Sequence, residues 1–132
     1  MGEVADDNYY DQVGLEIQQK LWGPNVGGAV GPAAGLAPEY FALVRRFCFG
    51  MFWGRPGLAL RDRSLITVAM LAAMGRQEEL AGHLRGALNV GLTKEELVEV
   101  LMQAGVYAGV PLGVAALRTA ASVLGDDEAR PG

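Results

Sequence analysis

Gly75-Arg-Gln-Glu-Glu-Leu-Ala-Gly-His-Leu-Arg-Gly-Ala-Leu-Asn-Val-Gly91 is bounded by glycines that suit helix stops, and it carries the only histidine of the chain. Leu80, Leu84, Ala87 and Leu88 recur at i, i+4, i+7 and i+8, the spacing of one apolar helix face. His83 follows Leu80 by three residues and shares that face, with Glu79 one turn behind it and Arg76 three residues before Glu79. An inward imidazole beside a carboxylate has two readings. It is a core histidine whose ring nitrogens are satisfied by the carboxylate and a backbone carbonyl. Or it is an acid/base device whose pKa the carboxylate raises, suiting it to proton transfer near neutrality.

The neighbouring segments extend the same helical pattern. Downstream, Gly91-Leu-Thr-Lys-Glu-Glu96 places Thr93 as N-cap with Glu96 three residues on, a capping box. Leu97, Val100, Leu101, Ala104 and Tyr107 then mark an inner face. Gly109-Val-Pro111 breaks that helix, and Val114, Leu117, Ala121 and Leu124 define a last one. Upstream, Leu60 to Met74 has charges only at Arg61, Asp62 and Arg63 and is apolar on all sides from Leu65, as a central buried helix should be. Trp53-Gly-Arg-Pro-Gly57 is a turn cluster.

Pro38 suits a first helical position, and Tyr40, Phe41, Val44, Phe47, Cys48, Met51 and Phe52 continue from it with helical period. Tyr9 to Trp22 is amphipathic through Val13, Ile17 and Leu21. Residues 23–37 hold five glycines and two prolines with almost no charge. They make a loop apolar enough to lie over the body or a neighbouring subunit, or to line a pocket mouth. No segment has strand period. The expectation is an all-α chain of six helices: an N-terminal helix and Gly/Pro-rich loop (1–37), the main helical domain (38–124) and a polar tail (125–132).

At 132 residues, 51% hydrophobic and 20% charged, the chain is one globular domain by length and composition. A domain of this size cannot bury so much apolar side chain by itself, so a homo-oligomer is expected. With a net charge of −4 and no basic run among aromatics, nucleic acid is not an expected partner. The acidic N-terminal residues do not resemble a signal peptide. The apolar run from Leu65 to Met74 is too short to span a bilayer, so no membrane partner and a cytoplasmic location are expected. The single cysteine, Cys48, excludes an internal disulfide and a Cys-x-x-Cys pair, and with one histidine it argues against a metal. Neither Gly-x-Gly-x-x-Gly nor a Walker-type Gly-Lys-Ser/Thr occurs as a nucleotide motif.

Beyond His83 and Glu79, Arg63 at the start of the apolar helix can clamp a carboxylate bidentately or pair with a neighbouring acid. Arg55 and Arg76 have the same two readings. Ser64 caps a helix or donates to a ligand. Tyr107 offers its hydroxyl to a pocket or packs in the core.

Trp53-Gly-Arg-Pro-Gly-Leu58, Arg63-Ser-Leu-Ile-Thr67, Glu79-Leu80, His83, Gly91-Leu-Thr-Lys-Glu-Glu96 and Tyr107-Ala-Gly-Val-Pro111 together resemble the carboxymuconolactone decarboxylase family, in its 4-carboxymuconolactone decarboxylase-like branch. The resemblance implies an all-helical, alkylhydroperoxidase-like subunit in a ring-like homohexamer or trimer, without metal or organic cofactor. It also implies a carboxy-lyase of aromatic catabolism acting on an organic acid or lactone. His83 would be the proton donor held by Glu79, with Arg63, Arg55 and Arg76, aided by Ser64 and Tyr107, around the substrate. The related hydroperoxidases carry Cys-x-x-Cys-x-x-x-His on this helix; here Arg76, Glu79 and His83 stand at those spacings, so disulfide chemistry is not expected. Pro111-Leu-Gly-Val114 is apolar where such decarboxylases carry a polar stretch. That departure leaves a second reading, the same fold recruited as an isomerase, cyclase or dehydratase.

Overall fold

Seven helices succeed one another in the computed structural model, which describes residues 5–24, 26 and 30–125. The chain divides between Ala59 and Leu60 into two compact units.

In the first unit, α1 (Asp7–Trp22) starts where the Asp6 carboxylate accepts from the Tyr9 amide at 2.9 Å, filling one of the free N–H groups of the first turn. A single turn, α2 (Ala33–Leu36), follows, then α3 (Pro38–Val44), entered through a proline whose missing N–H costs nothing there. Arg45–Phe52 continues α3 as a π-helix, and the Trp53 amide closes an i→i+5 bond to the Cys48 carbonyl at 2.9 Å. This segment lies on α1 with almost no side chain between. A Cβ at Gly14 would strike the Arg45 carbonyl, and one at Gly50 would strike the Tyr10 carbonyl. Arg46 bridges Asp11 at 2.8 Å and Asp7 at 3.3 Å, and its hydrogen bonds hold the Asp11 carboxyl below the usual range. Phe49 stacks on Trp53 and meets Trp22 edge-on, with ring centroids 5.7 and 5.6 Å apart.

In the second unit, α4 (Leu60–Met74), α5 (Gln77–Asn89), α6 (Lys94–Ala108) and α7 (Val110–Leu124) surround one core. Val68 and Ala72 of α4 meet Leu80, Leu84 and Ala87 of α5, Leu97 and Leu101 of α6, and Ala116 and Ala120 of α7. The expected capping box forms: the Glu96 amide donates to Thr93 Oγ1 at 3.1 Å, and the Thr93 amide to Glu96 Oε1 at 2.9 Å. Glu96 also receives Arg61 from α4, and together these bonds, led by the one from the Thr93 backbone, hold its carboxyl below the usual range. Gly109, at φ 127°, alone separates α6 from α7 and lets α7 begin at once. Where these two helices cross, the Cβ position of Gly105 lies 2.8 Å from Gly113 Cα.

All six expected helices are present, and the structure alters several of their faces. The expected second helix spans α3 and its π-helical continuation. Its buried residues are Phe49 and Gly50, while Tyr40, Phe47 and Phe52 of the expected inward stripe are 62%, 60% and 50% exposed. A change from i+4 to i+5 bonding shifts which residues align, and a strict 3.6 period cannot follow it. α4 is not buried on all sides: Ser64, Val68 and Ala72 are covered, but Met70 and Met74 are half to two-thirds exposed. Tyr107 leaves the inner face of α6 and is 84% exposed, and Leu88 turns outward from α5. Residues 25 and 27–29 of the apolar loop lie outside the described set. Its described part includes α2, where Leu36 is exposed rather than laid over a core. Among the described residues no helix is long and apolar enough to cross a membrane.

Candidate active site

α5 sets the geometry of the acid/base pair. Arg76 precedes the helix as its N-cap residue without a side-chain capping bond, and Glu78 and Glu79 occupy the first turn, where carboxylates complement the helix dipole. Leu80, Leu84 and Ala87 bury the inner face completely. Helical spacing then leaves Glu79 exposed and His83 half-buried one turn later, on the flank between core and solvent.

Two effects oppose each other at His83. Burial disfavours the imidazolium and is the larger; the nearby Glu79 carboxylate favours it and is the smaller. The outcome is a pKa lowered from the ordinary histidine value near 6.5 to about 4. The sequence expectation of a raised value is therefore corrected. The carboxylate is at the anticipated spacing, but it stands in water, which weakens its field, while the ring is largely withdrawn from water. At neutral pH the resting imidazole is uncharged.

α4 packs against α5 and carries Arg63 and Ser64. Arg63 is half-buried one turn into the helix, and the Thr67 hydroxyl donates to its carbonyl at 2.8 Å. Ser64 is not a cap, because the helix begins at Leu60. Its side chain is fully buried, and its Oγ meets no hydrogen-bond partner among the described residues. A hydroxyl so placed forgoes the bonds it had in water. Arg76 is exposed beside the start of α5. Arg55 belongs to the first unit, in the turn after the π-helix, where its amide donates to the Phe52 carbonyl at 3.1 Å.

Tyr107 stands elsewhere. It lines an open groove of about 690 Å3 between α4 and α6, whose described walls include Leu65, Met70 and Val100 but none of the other site candidates. The sequence reading missed this groove. Its signal in the sequence is an α4 that is apolar all round, a pattern that fits an exposed apolar wall as well as a buried helix. Cys48 is half-buried, and burial pushes its thiol pKa up, which leaves it a poor nucleophile. Among the described residues no three of His, Cys, Asp and Glu gather as metal ligands would.

Fold and site thus define an all-helical domain with one imidazole–carboxylate pair on its second long core helix. The chain belongs to the carboxymuconolactone decarboxylase family, whose model matches residues 38–122. It is 38% identical over 124 residues to the 4-carboxymuconolactone decarboxylase of Acinetobacter baylyi, covering 93% of this chain and 92% of that protein. It is 34% identical over 84 residues to the nitrosuccinic acid decarboxylase npaB of Metarhizium robertsii, covering 64% and 59% of the two chains. An uncharacterized 15.0 kDa protein of Paracoccus denitrificans is 30% identical over 95 residues, covering 70% and 71%.

Proposed function

We propose that this protein is a decarboxylase of a carboxylated unsaturated lactone, with 4-carboxymuconolactone as the first candidate substrate. Two relatives with different substrates in their names are both decarboxylases, which supports loss of CO2 as the reaction type. The single observation carrying the mechanism is the half-buried His83 one turn from Glu79 on α5.

In such a lactone the electron pair released with CO2 passes through the ring alkene into the lactone carbonyl, giving a dienolate. The substrate is its own electron sink. The protein has to hold carboxylates, stabilise the developing enolate oxygen and return a proton to carbon. Arg63 binds carboxylate, with Arg76 assisting.

His83 rests uncharged, so its proton must be acquired on binding. A dianionic substrate entering beside the ring adds the negative field that Glu79 alone supplies too weakly, and the imidazole takes up a proton from solvent. The imidazolium first stabilises the dienolate oxygen and then protonates carbon, returning to the neutral ring. One proton enters, one CO2 leaves, and no oxidant or reductant is consumed. The working form is a homo-oligomer, a reading supported by the large apolar side chains left exposed on the single chain.

Incubation of the purified protein with 4-carboxymuconolactone should release CO2, and His83→Ala should lower kcat by about 10²–10⁴-fold. No release by the wild type overturns the substrate. Undiminished turnover by His83→Ala overturns the mechanism.

A further inference from the structure

We propose that Gly82 is a specificity-determining residue of the His83–Glu79 site: the side chain it lacks leaves a place beside the imidazole that the flat ring of the substrate fills. This rests on the decarboxylase reading above and adds to it the residue that admits the ring.

Several glycines of this chain are required by the protein itself. Gly75, Gly91 and Gly109 follow helix ends at positive φ, where a side chain is strained. Gly14 and Gly50 are each met by a neighbouring carbonyl, and Gly105 and Gly113 by each other's backbone, so a Cβ at any of the four would collide. Neither reason applies to Gly82. It lies in the interior of α5, apart from the positive-φ glycines, and a Cβ placed on it meets no atom within 4 Å among the described residues. What is open is the side-chain position alone. Alanine would fit there and would favour the helix, because glycine loses more backbone freedom on folding. A glycine that weakens the helix carrying the acid/base pair, where the protein has room for a methyl group, is accounted for by a molecule that uses the room.

Helix geometry puts that room at the reacting groups. Successive residues stand about 100° apart around the axis, so Glu79, Gly82 and His83 fall within one arc of about 100°. This arc adjoins the inner face of Leu80, Leu84 and Ala87. A Cα–Cβ bond tilts toward the helix N-terminus, so a methyl group on Gly82 would stand over the turn that carries Glu79, next to the imidazole. Gly82 and His83 are half-buried and Glu79 is exposed, so the place is partly withdrawn from water yet borders solvent.

The reaction states what fills it. To return a proton to carbon, His83 needs the reacting atom within hydrogen-bond reach of its ring. An unsaturated lactone is flat about its alkene and carbonyl, and a ring whose carbon is held at the imidazole extends over the neighbouring backbone. With glycine at that point the face of the ring settles on the α5 backbone. With alanine the methyl group holds it off. The ligand class is therefore a flat, unsaturated ring bearing carboxylate.

The test compares wild type and Gly82→Ala in CO2 release from 4-carboxymuconolactone and in urea unfolding. Gly82→Ala should unfold at a urea concentration at or above the wild type's. Its KM should nevertheless rise and its kcat/KM fall by about tenfold or more, the scale on which one carbon decides fit in a pocket. A wild type that releases no CO2 overturns this proposal together with the decarboxylase reading. An active wild type whose KM is unchanged in Gly82→Ala overturns the role of Gly82 alone. A Gly82→Ala midpoint below the wild type's shows that the fold itself needs the glycine, and overturns that role whatever the kinetics.

Discussion

Acidification should unfold this protein partly through one imidazole. In the folded chain burial holds the His83 pKa near 4, whereas in the unfolded chain the ring regains the ordinary value near 6.5. Between those limits the unfolded state binds more protons, so stability rises with pH across the window. The contribution is fully present above about pH 6.5, shrinks as pH falls, and is gone below about pH 4. A gap of about 2.5 units at 1.36 kcal/mol each corresponds to roughly 3 kcal/mol. For a domain stable by about 5–15 kcal/mol that is a large share. Asp11 and Glu96, whose carboxyls are held below their usual range, lose stability in the same direction as pH falls through their folded values. Only a difference measurement isolates His83.

The assay is urea unfolding followed by circular dichroism across this range, for wild type and for His83→Gln at one protein concentration. The wild type should lose about 3 kcal/mol more than the variant on going from neutral pH to about pH 4. Because the chain has one histidine, its imidazole resonance can be followed without assignment. Parallel stability profiles, or a midpoint at or above 6.5 for the free protein, would refute the claim that burial outweighs Glu79.

Other expectations are as direct. Saturating the protein with the dianionic substrate should draw about one proton from solvent, read as a buffer-dependent binding enthalpy near neutral pH; none should be drawn by His83→Gln. Arg63→Ala should lower kcat/KM by about 10²–10³-fold with only partial recovery in Arg63→Lys, since an ammonium lacks the bidentate fork; unchanged kinetics would remove Arg63 from the site. Gly105→Ala places a methyl group 2.8 Å from Gly113 Cα and should cost about 1–3 kcal/mol in chemical denaturation. Thr93→Ala breaks the capping box and should cost about 1 kcal/mol, a loss that Thr93→Ser should largely avoid.

The residues by themselves determined the helices and most of their ends. Capping, glycine stops and 3.6-residue periodicity act within a few positions along the chain, which is why Thr93, Glu96, Gly75, Gly91 and Gly109 mark boundaries that the structure keeps. The spacing of Glu79 and His83 was legible for the same reason. Their electrostatic balance was not, because the pKa depends on how much water other helices remove from the ring and leave around the carboxylate. Which apolar residues lie inward was equally a tertiary decision. Tyr107 and Met70 fit a helical stripe as well as Leu101 and Val68 do, yet only the latter pair meets a facing helix. Likewise, the π-helical segment after Val44 follows no propensity signal; it accompanies the close backbone approach of Gly14 and Gly50 to the neighbouring helix. Local chain chemistry sets what can form, while the competition between facing surfaces and water sets which side is dry, and only the assembled chain records that result.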